Sequence, residues 1–226
     1  MGRALRKTPG DIIYHIINRS NGRFTLFRKP KDYEAFERIL AEAKEKFPMR
    51  ILAYCIMPNH WHLLLKPYGD NDLSLFMRYL TLTHTQRWHA HYHRVGYGHL
   101  YQGRFKSFPV EADEYFLQLT SYIESNPLRT KTKLVEKAQD WQWGSLWRRE
   151  YGDKEQKQLL SPWPIQSTND YLKLVNKHQE KEVLAGIRKS VEKSRPLGSL
   201  SWVIKIAEKL GLKSTLRSRG RPKKST

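Results

Sequence analysis

The sequence predicts an α+β fold: a central antiparallel sheet carrying helices, in the order β-α-β-β-α-β, with one further helix after it. Two observations support this. Short β-branched and aromatic runs alternate with stretches whose apolar residues recur every three or four positions. The junctions between them fall at Pro, Gly and Asn. Composition divides the chain into a folded domain at 1–150, a helical extension at 151–211, and a basic tail at 212–226 that reads as disordered.

Residues 12–19, β-branched and aromatic-rich, read as a buried strand. Tyr33, Phe36, Ile39, Leu40, Ala43 and Phe47 then fall at helical spacing until Pro48 stops the helix. Strands at 50–57 and 60–66 meet at Pro58-Asn59, a turn pair. A second helix follows Asp72, carried by Leu73, Phe76, Met77, Leu80, His84 and Trp88, and ends near Gly96-Tyr97-Gly98. The fourth strand is expected at 103–110, and Asp113 caps a third helix running to the residue before Pro127. This order is the ferredoxin-like split βαβ pattern, in which the strand at 60–66 is central. Trp141, Trp143 and Trp147 are expected to pack the chain back onto this domain, and three short helices follow, the last closed by Gly211.

Formal net charge is +19, from 41 Lys and Arg against 22 Asp and Glu, and the sequence pI is about 10.0. Such a surplus is self-repulsive unless an anion is the usual neighbour, and nucleic acid is the commonest one. A hydrophobic content of 39% sets the chain apart from a disordered polycation. No apolar run is long enough to span a membrane, and no long basic amphipathic helix suits a membrane surface. Cys55 is the single cysteine, which excludes an internal disulfide and a thiolate zinc cluster. It suits a reducing compartment, so a cytoplasmic protein is expected.

The chemistry centres on His60-Trp61-His62. On a strand, residues i and i+2 share a face about 7 Å apart, so both imidazoles point one way and Trp61 the other, which makes half of a metal site. The run His89-Ala90-His91-Tyr92-His93 repeats the spacing on a helix, where i and i+2 diverge and cannot meet at one ion. A third ligand and a reactive group are then needed. On the third helix Tyr122 and Asn126 stand at i and i+4 on one face. A Tyr hydroxyl can act as a covalent nucleophile and an Asn carbonyl as a hard-oxygen ligand. Tyr115, two turns earlier, is a competing hydroxyl assigned to core packing.

Three segments together, Met57-Pro58-Asn59-His60-Trp61-His62-Leu63-Leu64, Gln102-Gly103-Arg104-Phe105-Lys106 and Tyr122-Ile123-Glu124-Ser125-Asn126-Pro127, resemble the single-tyrosine HUH transposases. Among these the chain looks most like the REP-associated tyrosine transposases, over residues 10–150. The resemblance implies a transesterase on single-stranded, hairpin-bearing DNA, of the kind found in REP-type palindromes. His60, His62 and Asn126 would then hold Mg²⁺ or Mn²⁺, and Tyr122 would form a 5′-phosphotyrosine. The insertion-sequence relatives usually carry Gln where this chain has Asn126. A catalytically vestigial hairpin-DNA binder is the alternative, and a zinc hydrolase built on the same His pair is a third reading that needs one more His or carboxylate.

Arg104 and Lys106, alternating with Phe105, are expected to offer two cations and an aromatic to DNA from the fourth strand. Arg19 and Arg23 belong to a basic N-terminal stretch with the same role. Near the C-terminus Arg219-Gly220-Arg221-Pro222 resembles an AT-hook core, suited to the minor groove of A·T-rich duplex or to nonspecific contact. Whether the protein works as a monomer or a homodimer is open in the sequence.

Overall fold

The computed structural model describes residues 7–130, 132–167 and 170–217. Four strands, β1 (Ile13–Arg19), β2 (Met49–Met57), β3 (His60–Pro67) and β4 (Lys106–Val110), form one antiparallel sheet in the order β2-β3-β1-β4. The expected ferredoxin-like order is thus present, with β3 inside the sheet. Helices α1 (Pro30–Lys46) and α2 (Asp72–His91) cover one face. There Phe36, Leu40, Phe76 and Leu80 bury against Ile16, Ile56, Trp61, Leu63 and Leu65. Helix α3 (Glu114–Glu124) covers the other, placing Phe116, Leu119 and Ile123 against Cys55, Met57, Leu64 and Phe108. Asp113 caps α3 as expected, its carboxylate accepting the Tyr115 N–H at 2.9 Å.

Two boundaries differ from the sequence reading. Strand β4 begins at Lys106, because the chain bridges Ser20 at Tyr101 and bends outward through Gln102–Phe105 before rejoining β1 opposite Ile17. Helix α3 stops at Glu124, and Asn126 opens a 3₁₀ turn, Asn126–Leu128, in which Pro127 cannot continue the α-helical hydrogen bonding.

Both sheet edges are covered, which protects them from pairing with another chain. Along β2, Trp143 O accepts the Ile56 N–H at 2.9 Å and Trp141 Nε1 donates to Ile56 O at 3.0 Å. Trp147 instead packs on Tyr151. Along β4, Leu197 exchanges backbone hydrogen bonds of 3.0 and 2.9 Å with Pro109 and Glu111. After α4 (Ser145–Glu150) and α5 (Lys154–Lys157), the chain forms α6 (Tyr171–Asn176), α7 (Lys181–Lys193) and α8 (Leu200–Lys209). Ile187 of α7 enters the core around Phe116 and Ile123, so α3 lies between the sheet and the extension. Arg219 and Arg221 lie outside the described residues.

Candidate functional site

Strand alternation puts Trp61, Leu63 and Leu65 toward α1 and α2, and His60, His62 and Leu64 toward α3. The Trp61 indole is fully buried and its N–H donates to Tyr101 Oη at 3.0 Å. That hydroxyl pairs in turn with buried His84 Nδ1 at 2.6 Å. The residue between the two histidines therefore anchors β3 to the helical layer, and the pair projects from a rigid strand.

The imidazole rings of His60 and His62 lie 5.1 Å apart between centroids, and Tyr122 of α3 stands edge-on to His62 at 6.1 Å. Sheet and helix thus bring His60, His62 and Tyr122 into one cluster. Asn126 sits one turn beyond Tyr122, where its amide donates to the carbonyls of Tyr122 at 3.2 Å and Ile123 at 3.1 Å. It makes no hydrogen bond to either imidazole among the described residues, and only its Oδ1 is left to serve an ion.

Each histidine is held at Nδ1. Asn59 Oδ1 accepts from His60 Nδ1–H at 2.7 Å, and the Asn59 amide donates to Arg23 O at 3.3 Å, which fixes its orientation. His62 Nδ1 lies 2.8 Å from Nε2 of His15 on β1, a fully buried ring stacked on His62. Burial pushes the pKa of His15 and of His60 down to about 3, with Arg19 adding to the shift at His60. Burial first, then His15, lowers His62 well below its usual value.

These imidazoles are neutral at working pH. A proton on His62 Nδ1 leaves Nε2 lone pairs on both histidines, the form that binds metal. The pair therefore fits two imidazole ligands of a divalent ion. No cluster of three His, Cys, Asp or Glu arranged for an ion exists among the described residues.

Arg19 faces His60 across the β1–β3 register, and Lys106 faces Ile17 on the same side of the sheet. The buried Arg19 Nε has no hydrogen-bond partner. Arg23 is exposed in the adjoining 3₁₀ turn. Arg104 departs from its expected place beside Lys106, because the bend before β4 turns it to the other face. There it lines a groove of about 1440 Å³ between α2 and residues 95–105, together with Arg78, His89 and His99. Phe105 is partly buried against the core on that face. His89 and His91 lie on α2 as expected, and His91 accepts from Lys29 Nζ at 3.0 Å.

Two residues at the cluster escaped sequence reasoning. His15 is one polar residue inside an Ile-rich strand, and only the pairing of β1 with β3 brings it to His62. Arg129 lies seven residues past Tyr122 and beyond Pro127, yet its guanidinium carbon sits 4.1 Å from the Tyr122 ring centroid.

Residues 9–126 match the family described as transposase IS200 like. A Haemophilus influenzae protein provisionally named a REP-associated tyrosine transposase is 26% identical over 121 residues, half of this chain and 68% of that protein. Among solved structures, a REP-associated tyrosine transposase bound to a REP hairpin has the same fold. That match has a TM-score of 0.52 at 21% identity, over 74% of this chain and 92% of that one. With more than half of its length matched by the family, the chain belongs to the IS200-like transposases.

Proposed function

We propose that the protein cuts and rejoins single-stranded DNA at hairpins of the REP type, with Tyr122 as nucleophile. The observation that carries this reading is the Tyr122 ring set edge-on to His62, 6.1 Å away, in a chain of a transposase family. Tyr122 Oη forms a bond to the scissile phosphorus as the bond to O3′ breaks. The phenol proton passes to solvent and the departing oxygen takes one up. A 5′-phosphotyrosine and a free 3′-OH result. The phenolate is a good leaving group, so attack by another 3′-OH reverses the step and joins strands.

His60 and His62, with Asn126 through Oδ1, would hold Mg²⁺ or Mn²⁺. Such an ion withdraws charge from a non-bridging phosphate oxygen. Arg19 and Lys106, on the same side of the sheet, would bind the DNA backbone there, with exposed Arg23 at the end of β1. Arg104 and Phe105 would serve DNA on the groove side, and the tail with Arg219 and Arg221 would contact A·T-rich duplex.

The test is incubation of the full chain with Mn²⁺ and a labelled single-stranded hairpin library, followed by sequencing of covalently trapped oligonucleotides. Trapped hairpins with the native protein and none with Tyr122→Phe are expected. An adduct that survives Tyr122→Phe would remove the nucleophile assignment, and hairpin binding without cleavage would point to a DNA-binding protein.

A further inference from the structure

We propose that Arg129 is the positioning residue for Tyr122, stacking on the phenol to hold it at the imidazole pair and placing a fixed positive charge where the phosphotyrosine forms. The inference rests on the reading of Tyr122 as the nucleophile.

An uninterrupted helix would carry residue 129 two turns past Tyr122, about 10 Å along the axis. Instead α3 ends at Glu124, the 3₁₀ turn folds the chain back, and the Arg129 N–H closes that turn on Asn126 O at 3.0 Å. The guanidinium then lies over the Tyr122 ring, 4.1 Å from carbon to centroid. Its Nη1 donates to Ser125 Oγ and its Nη2 to the Tyr122 carbonyl. Three fixtures thus hold one cation to the nucleophile and to its own backbone.

An Arg near a helix C-terminus often satisfies the last carbonyls, and that alone would be a cap. Two observations go further. The guanidinium lies over the Tyr122 ring, 4.1 Å from carbon to centroid, rather than reaching into solvent. No Asp or Glu forms an ion pair with it among the described residues, and Arg188 adds a further positive charge nearby. A partly buried cation without a counter-ion is costly, and here an arriving phosphate would supply the missing charge. Arg19 differs in kind. It projects from β1 opposite His60, with Nε unpartnered, and suits a direct contact with DNA. Lys would preserve the charge and one capping bond at position 129 but not the planar stack, so the two roles are separable.

The experiment uses the full chain, Mn²⁺ and the single-stranded hairpin pool. It compares native protein with Arg129→Lys, Arg129→Ala, Arg19→Ala and Tyr122→Phe. Single-turnover adduct formation is read at saturating DNA, alongside hairpin affinity by fluorescence anisotropy and thermal midpoint.

Arg129→Lys should slow adduct formation about 100-fold, the scale of an ångström misplacement, with hairpin affinity and midpoint unchanged. Arg19→Ala should weaken hairpin affinity instead. Added guanidinium ion should restore part of the Arg129→Ala rate. Native-like rates in both Arg129 variants, or a rate loss that follows the thermal midpoint and resists guanidinium, would overturn the proposal while Tyr122→Phe still abolishes the adduct. If native protein forms no adduct, or Tyr122→Phe forms one, the nucleophile reading fails and takes the proposal with it.

Discussion

His15 and His62 share one proton across 2.8 Å in a site closed to water. Both rings are neutral, so the proton sits on one of two nitrogens, and its position decides whether His62 offers a lone pair or an N–H to an ion. The other nitrogen of His15 is buried without a partner, so the ring can serve only His62. His15→Phe keeps the ring packed on Phe108 and removes the hydrogen bond. With the proposed ion on His62, manganese affinity of the DNA-free protein, followed by electron paramagnetic resonance, should fall about 10–100-fold. Unchanged affinity would make His15 a packing residue only. None of this was legible in the sequence, where His15 reads as one residue of a buried strand. His60 and His62 were legible because their spacing and their strand character are both local.

At the level of elements, α3 matters most, since it carries Tyr122, the proposed nucleophile, and packs between the sheet and the extension. Its last residue, Glu124, is buried and accepts from Arg149 Nη1 at 2.6 Å, Tyr171 Oη at 2.7 Å and Ser145 Oγ. These partners come from α4 and α6, so the segment after residue 140 sets where α3 ends. Glu124→Ala takes the carboxylate from Arg149 and the acceptor from the buried Tyr171 hydroxyl, while Ser145 keeps Tyr54 O, and urea unfolding should show a loss of about 3 kcal/mol. A loss below about 1 kcal/mol would mean the network adds nothing beyond an exposed ion pair. Helices α1–α3 and α6–α8 were legible from helical periodicity, and β1–β3 from short apolar runs, since these strands are covered on both faces; the short α4 and α5 were not legible. The start of β4 was not, since the bend at Gln102–Phe105 depends on the Ser20–Tyr101 bridge, a tertiary contact. Arg104 consequently left the face it was expected to share with Lys106.

On the scale of the whole molecule, three buried histidines and the half-buried His60 make stability depend on pH. His15, His60 and His84 are held at a pKa of about 3 and His62 well below its usual value, all chiefly by burial. The unfolded chain titrates these rings near 6.5, so below that pH it binds more protons than the folded protein. Their contribution is therefore complete above pH 6.5 and is lost as pH falls toward the folded values, by up to about 1.4 kcal/mol per histidine per unit. For the metal-free protein the urea midpoint should drop steeply from pH 7.5 to 5.5, and a flat profile would contradict the burial. The charge of +19 indicated an anionic partner but not its position. Pairing Arg19 with the His60 face required the strand register. The central claim is that Tyr122 becomes covalently bound to DNA, and its most direct test is mass-spectrometric mapping of the trapped adduct. The account predicts the nucleotide on the peptide containing Tyr122. Its appearance on Tyr115, or on any other residue, would contradict it.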